Sequence, residues 1–131
     1  IDVRLEVLGE ETAVIDPLLF SRMIGLVLEN AVRHATPHSH VTLQYGKSLG
    51  ELVVCIHDNG TDLPYLDMGD EFNKFTRFTR SDMQNAGAGL SLTICWLLVN
   101  LQKGWMNVQN HPEGGTMVVI HIPVPEENPL P

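Results

Sequence analysis

Segments of strand and helix periodicity follow one another in an order that excludes a doubly wound nucleotide-binding fold. The sequence predicts two strands, a helix, two strands, a long irregular stretch, a helix and two final strands. A doubly wound fold needs strands and helices in strict alternation, which this order does not supply. The order predicts instead an α/β two-layer sandwich, in which helices cover one face of a mixed, mainly antiparallel sheet.

Local signals bound the elements in the first part of the chain. Apolar and polar residues alternate over 1–7, which predicts a half-buried strand, and residues 12–15 are predicted to pair back on it. Asp16 and Pro17 predict the start of a helix, since Asp caps helices and Pro favours their first position. This helix is expected to run to about residue 35.

The middle of the chain predicts a hairpin followed by a loop. Alternation over 41–45 indicates a strand, and residues 46–50 are typical of a hairpin turn. The continuous apolar run 52–56 predicts a central strand buried on both faces. Residues 58–89 lose all periodicity, and a loop of that length in a small domain is usually functional or mobile.

The last part of the chain begins with a run that is apolar on nearly every side. Residues 90–101 therefore predict a buried helix, closed by Lys103 and Gly104. Two further strands are expected, at 105–109 and 117–122. We expect one domain over residues 1–124, followed by a Pro- and Glu-rich tail or linker at 125–131.

The charge of the chain disfavours polyanionic partners. Eight Lys and Arg residues stand against sixteen Asp and Glu residues, for a net charge of −8. Binding to nucleic acid or to an anionic membrane needs clustered cations, so we expect no nucleic-acid binding. A small phosphate ligand met by a local group of cations stays compatible with this charge. Two cysteines in this length indicate a reducing compartment.

Asn30 is the first candidate binding residue. It falls on the same helix face as Met23 and Leu26, and an unpaired buried amide costs about 1–3 kcal/mol. Arg33 and His34 follow one turn later. An amide oxygen and a guanidinium at this spacing suit a phosphate group bound through Mg²⁺. A hydrogen-bonded core Asn beside a solvated Arg is the alternative interpretation.

Two glycine-containing segments are further candidates. Asp58 follows the apolar strand and precedes Gly60, which can place a carboxylate acceptor at the rim of a cleft, although an ordinary turn has the same composition. Gly87 and Gly89 precede the apolar helix. Backbone N–H groups there can approach an anion, although a flexible helix entry is the simpler alternative.

Half of the positive charge is concentrated near these segments. Lys74, Arg77 and Arg80 lie within one short stretch, and with Arg33 they make four of the eight cations. In a chain of net charge −8 this concentration favours an anion near the irregular stretch. A solvated run of charges is the alternative for any one of them.

Five short segments follow one another along the chain, namely LENAVRH at 28–34, DNG at 58–60, FTRF at 75–78, GAGLSL at 87–92 and EGGT at 113–116. In this order the first four resemble the N box, the first glycine box, the F box and the second glycine box of GHKL ATPases. The chain therefore resembles the catalytic, ATP-binding domain of sensor histidine kinases. The resemblance covers residues 1–124 and implies the Bergerat-type ATP-binding fold.

The resemblance implies a set of residues that bind ATP and Mg²⁺. Asn30 would ligate Mg²⁺, Asp58 would accept a hydrogen bond from the adenine amine, and Arg77 or Arg80 would reach the γ-phosphate. The residues implied in catalysis are Asn30, Arg33, Arg77 and Arg80. The residues implied in nucleotide binding are Asn30, Arg33, His34, Asp58, Gly60, Phe75, Phe78, Gly87, Gly89, Leu90 and Thr116.

The resemblance also implies a lid, a reaction and partners. Residues 62–86 would form a mobile ATP lid that Phe75 and Phe78 anchor. The γ-phosphate would pass to a histidine on a separate dimerisation domain of the same protein, and then to the receiver domain of a response regulator. Among the six histidines only His57 precedes an acidic residue, and its place at a strand end favours a structural role. The chain would be a cytoplasmic domain of an inner-membrane sensor protein, which alone would contact the membrane.

Three positions depart from the family pattern and keep alternatives open. Leu26 stands where a polar residue is usual, and Asp62 and Ser91 stand where glycines are usual. One alternative is therefore a degenerate, non-catalytic module that regulates a kinase or response regulator by protein contact. Another branch of the superfamily is the third reading, an anti-sigma-factor kinase or a topoisomerase-type ATPase. The F-box-like segment favours the sensor-kinase branch, and the Glu that the topoisomerase type carries at position 26 is absent.

Overall fold

The strands form one mixed sheet in the computed structural model, which describes residues 2–7 (backbone only), 14–60, 77–87, 89–110 and 114–125. The described elements are β1 (Asp2–Val7), α1 (Pro17–Arg33), β2 (His40–Ser48), β3 (Glu51–Asp58), α2 (Arg80–Asn85), α3 (Leu90–Leu101), β4 (Trp105–Asn110) and β5 (Thr116–Pro123). The strand order is β1-β2-β3-β5-β4. The β1–β2 pair is parallel and the other pairs are antiparallel. The predicted two-layer sandwich with a mainly antiparallel sheet is confirmed.

α1 begins where the sequence predicts. The Asp16 carboxylate accepts hydrogen bonds from the backbone N–H of Leu18 and Leu19, at 2.9 and 3.2 Å, which satisfies two of the unpaired donors of the first turn. The helix ends at Arg33, two residues before the predicted end. It connects the parallel strands β1 and β2. Its buried residues are Met23, Leu26, Val27, Asn30 and Ala31.

The core lies between the helices and one face of the sheet. Along β3, Leu52, Val54 and Ile56 are buried, whereas Val53 and Cys55 are only half-buried. The prediction that both faces of this strand are buried is therefore wrong. The run 52–56 is apolar throughout, so its sequence contains no alternation that would identify the face turned away from the helices.

α3 is also less enclosed than its sequence predicts. Its buried side is short and includes a serine, and its residues are Ser91, Leu92, Cys95 and Val99. Three leucines lie on the exposed side, Leu90, Leu97 and Leu101. The prediction of a helix buried on nearly every side is therefore wrong. It assumed that every leucine of this segment belongs to the core, whereas these three are exposed. None of the described helices is long and apolar enough to cross a membrane.

The end of α3 is closed by a left-handed residue. Lys103 has φ +62° and its N–H bonds to the carbonyl of Asn100, while the N–H of Gly104 bonds to the carbonyl of Val99. This pair of bonds is a Schellman motif with Lys in the place that Gly usually takes. The closure by Lys103 and Gly104 is thus confirmed. Gly104 is needed for a different reason, since a Cβ there would overlap the carbonyl oxygen of His121.

Part of the predicted irregular stretch is a helix. Thr79 and Asp82 form a capping box, in which each side chain accepts from the other residue's backbone N–H, at 2.7 and 3.1 Å. Met83 then enters the core with no exposed surface. In the described part of the predicted lid, residues 77–86, Met83 and Ala86 are therefore buried. The rest of the predicted lid, residues 62–76, lies outside the described residues.

The predicted strand at 12–15 is not found in its described half. Val14 and Ile15 have no strand structure, and residues 12 and 13 lie outside the described part of the chain. Ile15 instead packs against the core beside α1. The apolar pair that suggested a strand is better explained by this contact at the entry to the helix.

The β2–β3 hairpin is tighter than the predicted turn at 46–50. β2 continues to Ser48, which pairs with Glu51, so the loop contains only Leu49 and Gly50. Their φ angles are +51° and +78°. A two-residue loop with both φ angles positive is a type I′ turn, whose twist matches that of the strands. Leucine is a strained occupant of the first position, because its Cβ opposes a left-handed backbone.

We expect Leu49→Asn to raise the free energy of unfolding by about 1 kcal/mol, since Asn adopts the left-handed conformation at lower cost. Leu49 is 99 % exposed, so the change removes no packing. Urea unfolding measures this change, and the slope of the unfolding free energy against urea concentration should stay the same. Leu101→Asn is the matched control, because it replaces another exposed Leu in ordinary helical conformation and should lower stability by a few tenths of a kcal/mol. Equal effects of the two changes would contradict the strain at Leu49.

Candidate functional site

A row of buried polar side chains crosses the ends of three neighbouring strands. Asp58 ends β3 and pairs with Thr116, which in turn pairs with Asn110 at the end of β4. Their exposures are 5, 2 and 7 %. In the next row of the same sheet face, the residues are apolar, Ile56 and Val118 among them. The helix-facing side of the sheet therefore changes from apolar to polar at this end.

Asn110 was not found by sequence analysis. It lies just beyond the predicted strand 105–109, and an Asn before a turn is typical of a surface residue. The alternation of Met106, Val108 and Asn110 could have identified it, because it puts all three on one face of β4. A polar residue that continues an apolar stripe is a candidate for a buried site.

Two glycines allow the chain to pack closely around Asp58. The N–H of Gly60 donates to Oδ1 of Asp58 at 3.0 Å, and a Cβ on Gly60 would overlap the carbonyl oxygen of His34. Gly115 has φ +85°, and a Cβ there would overlap the carbonyl oxygen of Asp58 and lie 2.7 Å from Cα of Asn59. The end of β3 is therefore held between the end of α1 and the turn before β5.

The Asp58 carboxyl is in an environment that opposes its charge. Burial raises its pKa, while backbone N–H groups of Gly60 and Thr116 and the nearby charges of His57 and His34 lower it by less. Because the folded pKa is raised, the carboxyl adds stability below its unfolded pKa and this stability is lost as the pH rises through the folded pKa. A buried acceptor that destabilises the free protein at neutral pH is typical of a binding site.

The end of α1 adds an amide and a cation. Asn30 is 2 % exposed and belongs to the buried face of α1. Arg33 is exposed and its Nη2 lies 3.4 Å from Oε1 of Glu29, one turn earlier. Its Nη1 lies 3.3 Å from where a Cβ on Gly89 would be. The structure thus brings Arg33 against the second glycine segment.

The start of α3 presents backbone donors beside Arg33. Gly89 is the N-cap and makes no side-chain cap bond, so the first-turn N–H groups are not covered by a cap. Gly87 has φ +70°, a conformation that other residues rarely adopt. Leu90 follows with most of its side chain exposed. An uncapped helix N-terminus of this kind suits an anion.

Phe78 is fixed by three described contacts, as an anchor should be. Its N–H donates to the carbonyl of Met106 at 2.8 Å, and its carbonyl accepts from Nε1 of Trp96 at 2.8 Å. Its ring packs against the core cluster. Phe75, the other predicted anchor, lies outside the described residues.

Arg77 does not join the cluster around Asp58. Its guanidinium carbon lies 5.9 Å from the centre of the Trp105 ring, which is a cation–π contact. Trp105 begins β4 and Asn110 ends it, so Arg77 is held about 16 Å away along the strand. Arg80 is exposed on the first residue of α2. Of the four predicted catalytic residues, Arg33 lies against the second glycine segment and Asn30 on the buried face of α1. Arg77 lies outside this group of described contacts.

The departures from the family pattern leave little trace at the surface of the site. Leu26 and Ser91 are each 5 % exposed, on the core-facing sides of α1 and α3. Asp62 lies outside the described residues. The described part of the site therefore gains no exposed side chain from these substitutions, although it loses the polar group that Leu26 replaces.

The chain matches the family described as "Histidine kinase-, DNA gyrase B-, and HSP90-like ATPase" over residues 15–126. Its curated relatives include the alginate biosynthesis sensor protein KinB of Pseudomonas aeruginosa, 30 % identical over 84 % of this chain and 18 % of KinB. The sensor histidine kinase component HK1 of Mycobacterium tuberculosis is 33 % identical over 85 % of this chain and 64 % of its own length. The chain thus spans less than two thirds of these relatives, and 12 % of the sensor protein KdpD of Escherichia coli.

Solved structures agree with the fold. The catalytic domain of the histidine kinase ThkA has a TM-score of 0.68 at 18 % identity and matches 93 % of this chain and 78 % of its own. The mycobacterial sensor histidine kinase MprB has a TM-score of 0.65 at 23 % identity, over 94 % of this chain and 83 % of its own. Identities this low support the fold alone. The family match over residues 15–126 shows that this chain belongs to the histidine kinase-, DNA gyrase B- and HSP90-like ATPase family.

Proposed function

We propose that the chain is the ATP-binding catalytic domain of a two-component sensor histidine kinase. The observation that carries this proposal is the meeting of the N-box residues, both glycine segments and the Asp58–Thr116 pair at one end of the sandwich. Each of these segments contributes a different chemical group. Family membership and the names of the relatives support the same function.

The adenine base would bind at the polar row. A charged Asp58 is an acceptor for the 6-amino group, and burial strengthens such a bond because water does not compete. Thr116 lies directly opposite Asp58, and its backbone N–H favours the ionised form of that carboxyl by lowering its pKa. Gly60 packs between Asp58 and the carbonyl of His34. These residues select the base by position and hydrogen bonding.

The phosphates and Mg²⁺ would bind between the ends of α1 and α3. Mg²⁺ prefers oxygen ligands and usually takes one or two from the protein, the others being water and phosphate. The buried Asn30 carboxamide offers an oxygen of the kind that such a site uses. Arg33 and the N–H groups after Gly89 would hold the phosphate oxygens. Bound Mg²⁺ supplies neutralisation of phosphate charge.

Catalysis by these residues would consist of positioning and charge stabilisation, as in other phosphoryl transfers. The acceptor would be a histidine on a dimerisation domain of the same protein, and the phosphoryl group would then pass to an aspartate of a response regulator. Arg80 stays a candidate for the γ-phosphate. The whole protein would be a membrane sensor, with this chain as its cytoplasmic part and no nucleic acid among the partners of this domain.

The second candidate is a non-catalytic module that acts by protein contact. Leu26 favours it, because the polar group that usually stands there is replaced by a core side chain. Phosphate transfer from radiolabelled ATP to a separately supplied dimerisation domain separates the two candidates. Label on the histidine supports the kinase. ATP binding without label, under conditions where an active histidine kinase labels its own dimerisation domain, supports the contact module.

We expect Asn30→Ala to remove the dependence of ATP binding on Mg²⁺. A lost metal ligand should lower affinity at least tenfold in Mg²⁺ and leave binding in a chelator unchanged. Calorimetric titration with a non-hydrolysable ATP analogue measures both. Asn100→Ala is the control, since the side-chain amide of this exposed Asn donates to the carbonyl of Trp96 within α3. Continued Mg²⁺ dependence in the Asn30 variant would assign the metal to other ligands.

A further inference from the structure

His57 connects two turns that meet at the polar row. It is the penultimate residue of β3 and lies on the sheet face opposite to Asp58. Its Nε2 is 3.3 Å from the carbonyl oxygen of Gly114. Because a carbonyl oxygen only accepts, the ring nitrogen carries the hydrogen and donates it. The bond ties the end of β3 to the turn that precedes β5.

That turn reaches Asp58 from the other side. Gly115 packs directly on the carbonyl oxygen of Asp58, so the backbone there has no room to shift inwards. Thr116, the next residue, pairs with Asp58 across β3 and β5, and its backbone N–H favours the ionised form of that carboxyl by lowering its pKa. The position of Thr116 beside Asp58 therefore depends on the position of the Gly114–Gly115 pair. His57 holds that pair from the outer face while Asp58 meets it on the inner face.

We propose that His57 is a positioning residue for recognition of the adenine base. It fixes the Gly114–Gly115 turn, and through it the orientation of the Asp58 carboxylate and Thr116. The proposal rests on the proposed function, since it concerns how the same site selects its base.

If His57 only stabilised the fold, its replacement would lower the stability of the protein and its affinity for every nucleotide to a similar extent. A positioning residue for Asp58 affects the ligand that uses Asp58. ADP carries a 6-amino group, and IDP carries a carbonyl at that position, which a carboxylate cannot bind. The ratio of their affinities therefore reports the orientation of Asp58, separately from stability and from phosphate binding.

The experiment is calorimetric titration of the chain with Mg·ADP and with Mg·IDP. The wild type should bind ADP at least about tenfold more tightly than IDP. His57→Ala should lower the ADP affinity about fivefold, the effect of one misplaced hydrogen bond, and change the IDP affinity little. His57→Gln should restore the wild-type ratio, because its amide nitrogen can donate to the Gly114 carbonyl.

His121→Ala is the matched control. His121 lies on the same outer face, stacked 3.8 Å from the Trp105 ring and 3.3 Å from Oε1 of Glu51, at the far end of the sheet. Its loss should lower stability and keep the ADP-to-IDP ratio. An unchanged ADP-to-IDP affinity ratio in His57→Ala, or an equal fall of this ratio in His121→Ala, overturns the inference about His57 and leaves the proposed function standing. No binding of ADP to the wild type overturns the proposed function, and the inference with it.

Discussion

Asp58→Asn should weaken ATP binding by more than about 1.5 kcal/mol, which is more than tenfold, while the free protein unfolds at a higher temperature. Asn keeps the size of the side chain and an acceptor for the N–H of Gly60. It is neutral, however, and has one acceptor oxygen where the carboxylate has two. Affinity falls because the adenine amine loses a charged partner. Stability rises because burial opposes the charge of Asp58, as the raised pKa indicates.

Calorimetry and thermal unfolding of the same variant measure the two effects. Asp16→Asn is the matched control, since Asn caps a helix as well as Asp does and this site lies at the other end of α1. It should leave both affinity and unfolding temperature nearly unchanged. Wild-type affinity in Asp58→Asn would remove the adenine role from Asp58. A lower unfolding temperature would contradict the account of its buried charge.

The raised pKa of Asp58 also predicts how ATP binding depends on pH. Affinity should fall as the pH is lowered through this pKa, because the protonated carboxyl loses its charge. Asp58→Asn should flatten the profile. A profile that stays the same in this variant would assign the titration to another group.

Gly115→Ala should lower the free energy of unfolding by about 3 kcal/mol or more, and Gly114→Ala by only about 1 kcal/mol. Both residues have positive φ, +85° and +99°, so both variants strain the backbone by a similar amount. Only at Gly115 does a Cβ meet other atoms, namely the backbone of Asp58 and Asn59. The backbone at the end of β3 cannot move aside without a large loss of free energy, so overpacking adds to the strain.

Urea unfolding of the two variants separates strain from overlap, because each serves as the other's control. ATP titration of Gly115→Ala, at a temperature where it stays folded, should show weakened binding as well. Equal losses of stability in the two variants would mean that the Gly115 turn relaxes away from Asp58. The close contact between the two turns would then not define the site.

The parts of the fold with a local chemical signal were predictable. Asp16 and Pro17 located the start of α1, and the glycine segments were identified at the end of β3 and the start of α3. These signals act within a few residues, through backbone hydrogen bonds and allowed φ angles. α2 carried such a signal too, in Thr79 and Asp82, but the surrounding irregular composition concealed it.

The remainder depended on which segments pack together. Val53 and Cys55 are apolar, yet only the assembled sheet determines that their face is turned away from the helices. Asn110 joins the site through its pairing with Thr116 across the β4–β5 hairpin. Arg77 was predicted near the phosphate from its charge and its motif. Its contact with Trp105 depends on how the segment before α2 lies against β4.

The most direct test of ATP recognition is calorimetric titration of this chain with a non-hydrolysable ATP analogue, with and without Mg²⁺. The arrangement of Asn30, Arg33 and Asp58 predicts micromolar binding that requires Mg²⁺. Absence of heat, together with an unchanged unfolding temperature at millimolar nucleotide, would contradict the account. The fold would then act through protein contact alone.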